Sequence, residues 1–174
     1  LIGLARSSSK VIAWGEIGLD FYYDHSPREI QADVFRRQIR TAGKLGLPII
    51  VHSRDADDET VALIEEETGN PSFSGGIMHC FGGTAAMAQR LMELGFLISF
   101  AGNVTFKKAE NLRDAARVVP LDKLLIETDC PYMSPEPFRG RRNDPAKVYR
   151  MAEKLAEIRS ISVEDARRIT LENG

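Results

Sequence analysis

The chain has 174 residues, of which 43% are hydrophobic and 28% charged, with a formal net charge of -2 at pH 7 and a pI near 6.0. This length accommodates one domain with a sizeable core and is too short for two comfortable ones. The balance of charge excludes a global basic field, so a polyanionic substrate would have to meet a local basic patch or bound metal.

The chain opens inside an amphipathic helical pattern, and an apolar run at Val11 to Ile17 reads as the first strand. Ser26-Pro27-Arg28-Glu29 combines an N-cap serine, a proline at the first helical position and a capping-box glutamate. The helix that follows places Ile30, Val34, Ile39, Ala42 and Leu45 at helical spacing, and Gly46 closes it. A second strand is expected at Pro48 to His52 and a helix at Asp57 to Glu67. Strand Gly76 to Cys80 and helix Thr84 to Leu94 come next, then strand Phe96 to Phe100 and helix Lys107 to Val118. The last strand spans Lys123 to Asp129. A loop rich in Pro, Gly and Arg from Pro131 to Asp144 leads to helices at Pro145 to Arg159 and Val163 to Asn173, the latter capped by Ser162 with Asp165.

Most of these strands are apolar at consecutive positions, the mark of strands buried on both faces of a parallel sheet. Their alternation with helices predicts an α/β fold in which residues 1–174 form one domain. A doubly wound sheet would use five strands; a (β/α)8 barrel would need three more. Cys80 and Cys130 are too few for a disulfide-stapled scaffold and fit a reducing compartment. The apolar runs are too short to span a bilayer, and Arg6 and Lys10 interrupt any signal-peptide core, so a cytoplasmic location is expected. There is no initiating Met, and both ends read as cut from something longer.

Four expected strands end in a metal-competent residue: Glu16, His52, His79 and Asp129. In α/β barrels the C-terminal strand ends converge on one mouth, so ligands far apart in sequence would meet there. A buried His or Asp at one strand end is commonly a hydrogen-bonded structural residue, but four at equivalent positions need a counter-charge, and a metal supplies it. Two imidazoles with two carboxylates suit Zn, Mn or Fe and, with water, Mg.

The segments Gly15 to Tyr23, Val51 to Ala56, His79 to Gly83, Ser99 to Gly102, Leu125 to Tyr132 and Phe138 to Asn143 resemble, in order, the motifs of the TatD deoxyribonuclease family. The resemblance implies a TIM (β/α)8 barrel of the amidohydrolase superfamily, present here as a C-terminal portion of about five βα units. It also implies a nuclease with two divalent metal ions (Mg, Mn or Zn) in the complete protein, often a 3'-5' exonuclease on single-stranded DNA or RNA. By the same resemblance, Glu16 is shared between or adjacent to the metals, and His52 and His79 complete one shell. Asp129 holds the other metal and handles the proton of the attacking water, making Asp129 and Glu16 the expected catalytic residues. The family's His-x-His pair has no counterpart among the three histidines of this chain.

Arg54, Arg139 and Arg142 are candidates for phosphate binding, since guanidinium matches phosphate oxygens in a bidentate way. The alternative for the loop arginines is ordinary surface charge. Cys80 and Cys130 read as small buried residues beside the site, His25 as a surface residue, and Tyr22, Tyr23 and Phe81 as either base-stacking or packing residues. Gly82-Gly83 fits a phosphate cradle or a tight turn. Two other functions stay open. One is hydrolysis of a different ester or amide bond, which predicts an apolar pocket where the arginines would otherwise face the metals. The other is an inactive truncated chain that self-associates through exposed barrel edge strands.

Overall fold

In a computed structural model of the chain, residues 1–23, 25–69 and 71–174 are described. Strands form where apolar residues run together: β1 (Trp14–Asp20), β2 (Ile49–Arg54), β3 (Gly76–Met78), β4 (Phe96–Phe100) and β5 (Leu124–Ile126). Between and around them lie α1 (Ile2–Arg6), α2 (Arg28–Leu45), α3 (Asp57–Thr68), α4 (Ala85–Glu93), α5 (Glu110–Val118), α6 (Tyr149–Arg159) and α7 (Val163–Asn173). The alternation anticipated from the sequence is therefore present. Two compact units can be distinguished, residues 1–79 with 93–96, and residues 80–92 with 97–174.

In the first unit β1 pairs with β2 and β2 with β3, both in parallel. β1 begins and ends three residues later than expected, because its pairing with β2 continues from Ile17↔Val51 through Gly18↔His52 to Asp20↔Arg54. The register is irregular between Trp14 and Ile17, which places a bulge at Gly15-Glu16. β2 likewise runs on to Arg54, whereas β3 stops at Met78, one residue short of His79. Gly18 is the tight point of the pairing. Its φ is +140°, and a Cβ there would stand 1.9 Å from the His52 carbonyl oxygen, so a side chain is excluded by both backbone and space.

Helix α2 covers this sheet with Phe35, Ile39 and Ala42, all buried. The sequence reading also put Ile30 and Val34 inward, but they are 50% and 41% exposed. Val34 lies about 100° around the helix from Phe35, and the large ring sets the buried stripe. Gly46 closes α2 as expected, in the left-handed conformation, with its N–H on the Ala42 and Gly43 carbonyls. The Ser26 cap does not form. Pro27 occupies the N-cap without a side-chain bond. The Ser26 carbonyl instead accepts from Gln31 Nε2 at 2.8 Å. The same Gln31 amide accepts the Asp20 N–H at 2.9 Å and donates to the Asp20 carbonyl at 3.1 Å, taking both backbone groups as a neighbouring strand would.

In the second unit β4 and β5 pair in parallel, Ile98↔Leu124 to Phe100↔Ile126. Phe81 packs edge-on against Phe100 with ring centroids 5.9 Å apart. Met151, Ala152, Leu155 and Ala156 of α6 and Leu112, Ala115 and Ala116 of α5 fill the rest of this core. Arg159 donates to the Ala116 and Val119 carbonyls, satisfying the end of α5 with a cation where the helix dipole is negative. The Ser162 cap of α7 forms as anticipated, its Oγ accepting the Asp165 N–H at 3.0 Å. Helix α5 starts at Glu110 rather than Lys107, after Gly102–Thr105 makes a 3-10 turn; further such turns, Leu121–Lys123 and Pro145–Val148, precede β5 and α6. No helix among the described residues is long and apolar enough to cross a membrane.

Three substitutions test this packing. Gly18→Ala should cost about 3 kcal/mol or more in denaturant unfolding, because positive φ and the His52 carbonyl both oppose it. Gly82→Ala, where an added Cβ meets nothing within 4 Å, should stay within about 0.5 kcal/mol of the parent. Phe35→Ala should lower stability by about 3–5 kcal/mol through the cavity it leaves.

Candidate metal centre

Residues two apart on a strand share a face, so Glu16, Gly18 and Asp20 of β1 would point one way on a regular strand. Gly18 lies opposite His52 on β2 and carries no side chain. The imidazole therefore fits between two carboxylates. His52 Nδ1 is 3.3 Å from Glu16 Oε1, and His52 Nε2 is 3.2 Å from Asp20 Oδ2. His79, delivered immediately after β3, has its Nε2 4.0 Å from the same Glu16 Oε1. Glu16 is thus the meeting point of two imidazoles. It stands as the third residue of β1 rather than at the strand end as expected, and the bulge at Gly15-Glu16 is the kind of irregularity that re-aims a side chain.

Asp20 was assigned no role from the sequence. Besides holding His52, its Oδ1 accepts the N–H groups of Tyr22 and Tyr23, each at 3.0 Å. Burial on its own would raise the Asp20 carboxyl; the Tyr23 N–H, the His52 ring and the Tyr22 N–H together outweigh it and hold the group below the ordinary aspartate range. The available signal was its position four residues after Glu16 on one strand face.

Arg54 closes β2, and its guanidinium lies over the Tyr22 and Tyr23 rings at 4.0 and 4.7 Å from their centroids. Tyr22 and Tyr23 stand on the surface, at 58% and 55% exposure, whereas Phe81 is core. His25 is exposed, as expected, and stacks on Tyr23. A cleft beside β1 is lined by the polar side chains of Glu16, Asp20, Gln31, Gln38 and His52 together with Ile17, Gly18 and Leu19 of the strand.

The second unit holds the other candidates. Asp129 follows β5, and the Cys80 thiol lies 3.9 Å from its Oδ2. Glu127, also unassigned from the sequence, accepts the Cys80 N–H at 2.8 Å and the Ser99 hydroxyl at 2.6 Å, fixing the turn just after His79. Buried Asn143 pins the long loop by donating to the Thr128 and Tyr132 carbonyls at 2.8 and 2.7 Å. Arg139 stacks on Phe106 at 4.3 Å, and Arg142 is exposed. Neither cysteine is buried as expected: Cys80 is half-buried and Cys130 exposed, because each sits in the turn beyond a strand end rather than in the strand. The Gly83 position is filled by Met87 and Phe81, which favours tight packing there. Asp55 in the first unit and Cys80 and Asp129 in the second have positive φ, an uncommon backbone for residues other than glycine.

The structure brings Glu16, His52 and His79 together in the first unit and places Asp129 with Cys80 and Glu127 in the second. Among the described residues, no three His, Cys, Asp or Glu side chains stand as a ready metal shell. The donor chemistry nevertheless fits a divalent cation. Donors bonded to one ion at ~2.1 Å lie about 3–3.5 Å from each other, and Glu16 Oε1 is 3.3 Å from one imidazole nitrogen and 4.0 Å from another.

Comparison with known proteins shows the family and the fold. The chain is 48% identical over 164 residues to the uncharacterized metal-dependent hydrolase YabD of Bacillus subtilis, covering 94% of this chain and 64% of that protein. It is 46% identical over 163 residues to the uncharacterized metal-dependent hydrolase YcfH of Escherichia coli, covering 94% and 61%. The chain therefore spans less than two thirds of the length of these relatives. The crystal structure of YjjV, a TatD homologue from E. coli, superposes with a TM-score of 0.89 at 32% identity, over 98% of this chain and 65% of that one. An uncharacterized amidohydrolase from Saccharomyces cerevisiae shares the fold alone, with a TM-score of 0.84 at 19% identity over 99% and 67% of the two chains. The architecture is accordingly α/β of the TIM-barrel type. The sequence model described as TatD related DNase matches residues 2–174, and the chain belongs to that family of metal-dependent hydrolases.

Proposed function

We propose that the whole protein hydrolyses phosphodiester bonds of nucleic acid, acting on single-stranded ends with divalent metal. The observation that carries this reading is Glu16 Oε1 flanked by the His52 and His79 rings, with the Arg54 guanidinium at the end of the same strand as His52. Glu16, His52 and His79 would hold one cation, and Asp129 would serve a second. Bound there, such ions supply an activated water and charge stabilisation on the phosphate.

The remaining roles fall to the protein. With the ring proton on Nε2, His52 would donate to Asp20 and offer Nδ1, the atom facing Glu16, to a cation. Arg54 has no protein acceptor for its N–H groups among the described residues, so they remain available to phosphate oxygens. Asp129 is the candidate acceptor for the water proton. Hydrolysis of a carboxylic ester or amide is the less supported reading, since it gives no role to the Arg54 guanidinium that ends the strand carrying His52.

The test is manganese- or zinc-dependent nucleotide release from a single-stranded oligonucleotide by the whole protein. Glu16→Ala, His52→Ala, His79→Ala and Asp129→Ala should each lower kcat/KM by about 100-fold or more, and full activity in all four would overturn the assignment. Asp20→Asn keeps an acceptor for the Tyr22 and Tyr23 N–H groups but loses the charge on His52. Its calorimetric affinity for manganese should fall about 10- to 100-fold; an unchanged affinity would remove Asp20 from the centre.

A further inference from the structure

Tyr22 and Tyr23 are two large aromatic residues, side by side, more than half exposed. Free tyrosines on a loop tip are normally loosely held. These are fixed from both sides. The Asp20 carboxylate binds both of their backbone N–H groups, and the Phe21 N–H donates to the Arg54 carbonyl at 2.9 Å. Arg54 lies against both rings, the rings meet edge-on at 86° with centroids 5.0 Å apart, and His25 stacks on Tyr23 at 5.4 Å with 3° between planes. Neither phenol has a hydrogen-bond partner among the described residues. The order of this patch is therefore not explained by burial or by its own polar groups.

Its attachment is informative. One Asp20 oxygen holds the two tyrosines, and the other holds His52, whose far nitrogen faces Glu16. A single carboxylate thus fixes the aromatic pair beside the hydrolytic centre. Exposed rings set edge to face, with a cation against them whose N–H edge stays free, match the needs of an unstacked nucleobase followed by a phosphate. A duplex hides its base faces, so the same patch offers it nothing.

We propose that Tyr22, Tyr23 and Arg54 form a nucleobase-stacking subsite that seats an unpaired base next to Glu16. The proposal rests on the nucleic-acid reading above and adds to it the group that selects the substrate. Stacking on tyrosine accepts every base, so the subsite discriminates single strand from duplex and base from no base, without reading sequence.

The experiment is equilibrium binding of the whole protein, without metal and at low salt, to two fluorescein-labelled strands of equal length and charge. One is oligothymidylate and the other is a fully abasic phosphodiester strand. The parent should bind oligothymidylate about tenfold or more tightly than the abasic strand. Tyr22→Ala/Tyr23→Ala should abolish that preference while leaving abasic binding unchanged. Tyr22→Phe/Tyr23→Phe should keep it, which separates ring stacking from the hydroxyls and controls for folding. Equal affinity of the parent for both strands, or a preference that survives the double alanine change, overturns the subsite while the nuclease reading stands. Failure of the parent to bind either strand also overturns the subsite, and metal-dependent nucleotide release separately decides the nuclease reading.

Discussion

The centre of this molecule depends on an imidazole placed between two carboxylates across a glycine. His52 fits against Glu16 and Asp20 because the residue opposite it in the neighbouring strand, Gly18, has no side chain and a backbone that only glycine adopts readily. Remove that vacancy and β1 cannot pair with β2 in this register. The one-for-one register from Ile17 to Asp20 then fixes everything else, including the meeting of Asp20 with Arg54.

Asp20 shows how one side chain joins fold and chemistry. Its backbone is satisfied by the Gln31 amide, which ties α2 to β1. Its carboxylate is divided between the loop of Tyr22 and Tyr23 and the ring of His52. In the proposed metal centre, an outer partner of this kind would set the orientation of the His52 ring and with it the affinity of the site. In the second unit Glu127 plays a comparable part, using Ser99 and the Cys80 N–H to fix the backbone between a strand end and a helix. Both residues were passed over in the sequence because each stands close to a more obvious candidate ligand.

The sequence by itself determined the order and type of nearly every element, since consecutive apolar residues and helical spacing report burial directly. It also singled out Glu16, His52, His79 and Asp129, because charged or imidazole groups at the ends of apolar strands demand a reason. Gly46 and Ser162 ended and began helices as their chemistry requires. What only the tertiary structure decided were features that depend on a partner distant in sequence. The extension of β1 to Asp20 follows from pairing with Arg54, and the failure of Ser26 to cap α2 goes with the capture of its carbonyl by Gln31. The outward turn of Ile30 and Val34 follows from the bulk of Phe35. The seating of His52 between its two acids joins positions 32 and 36 residues apart, and no local pattern in either strand records which face the other will present.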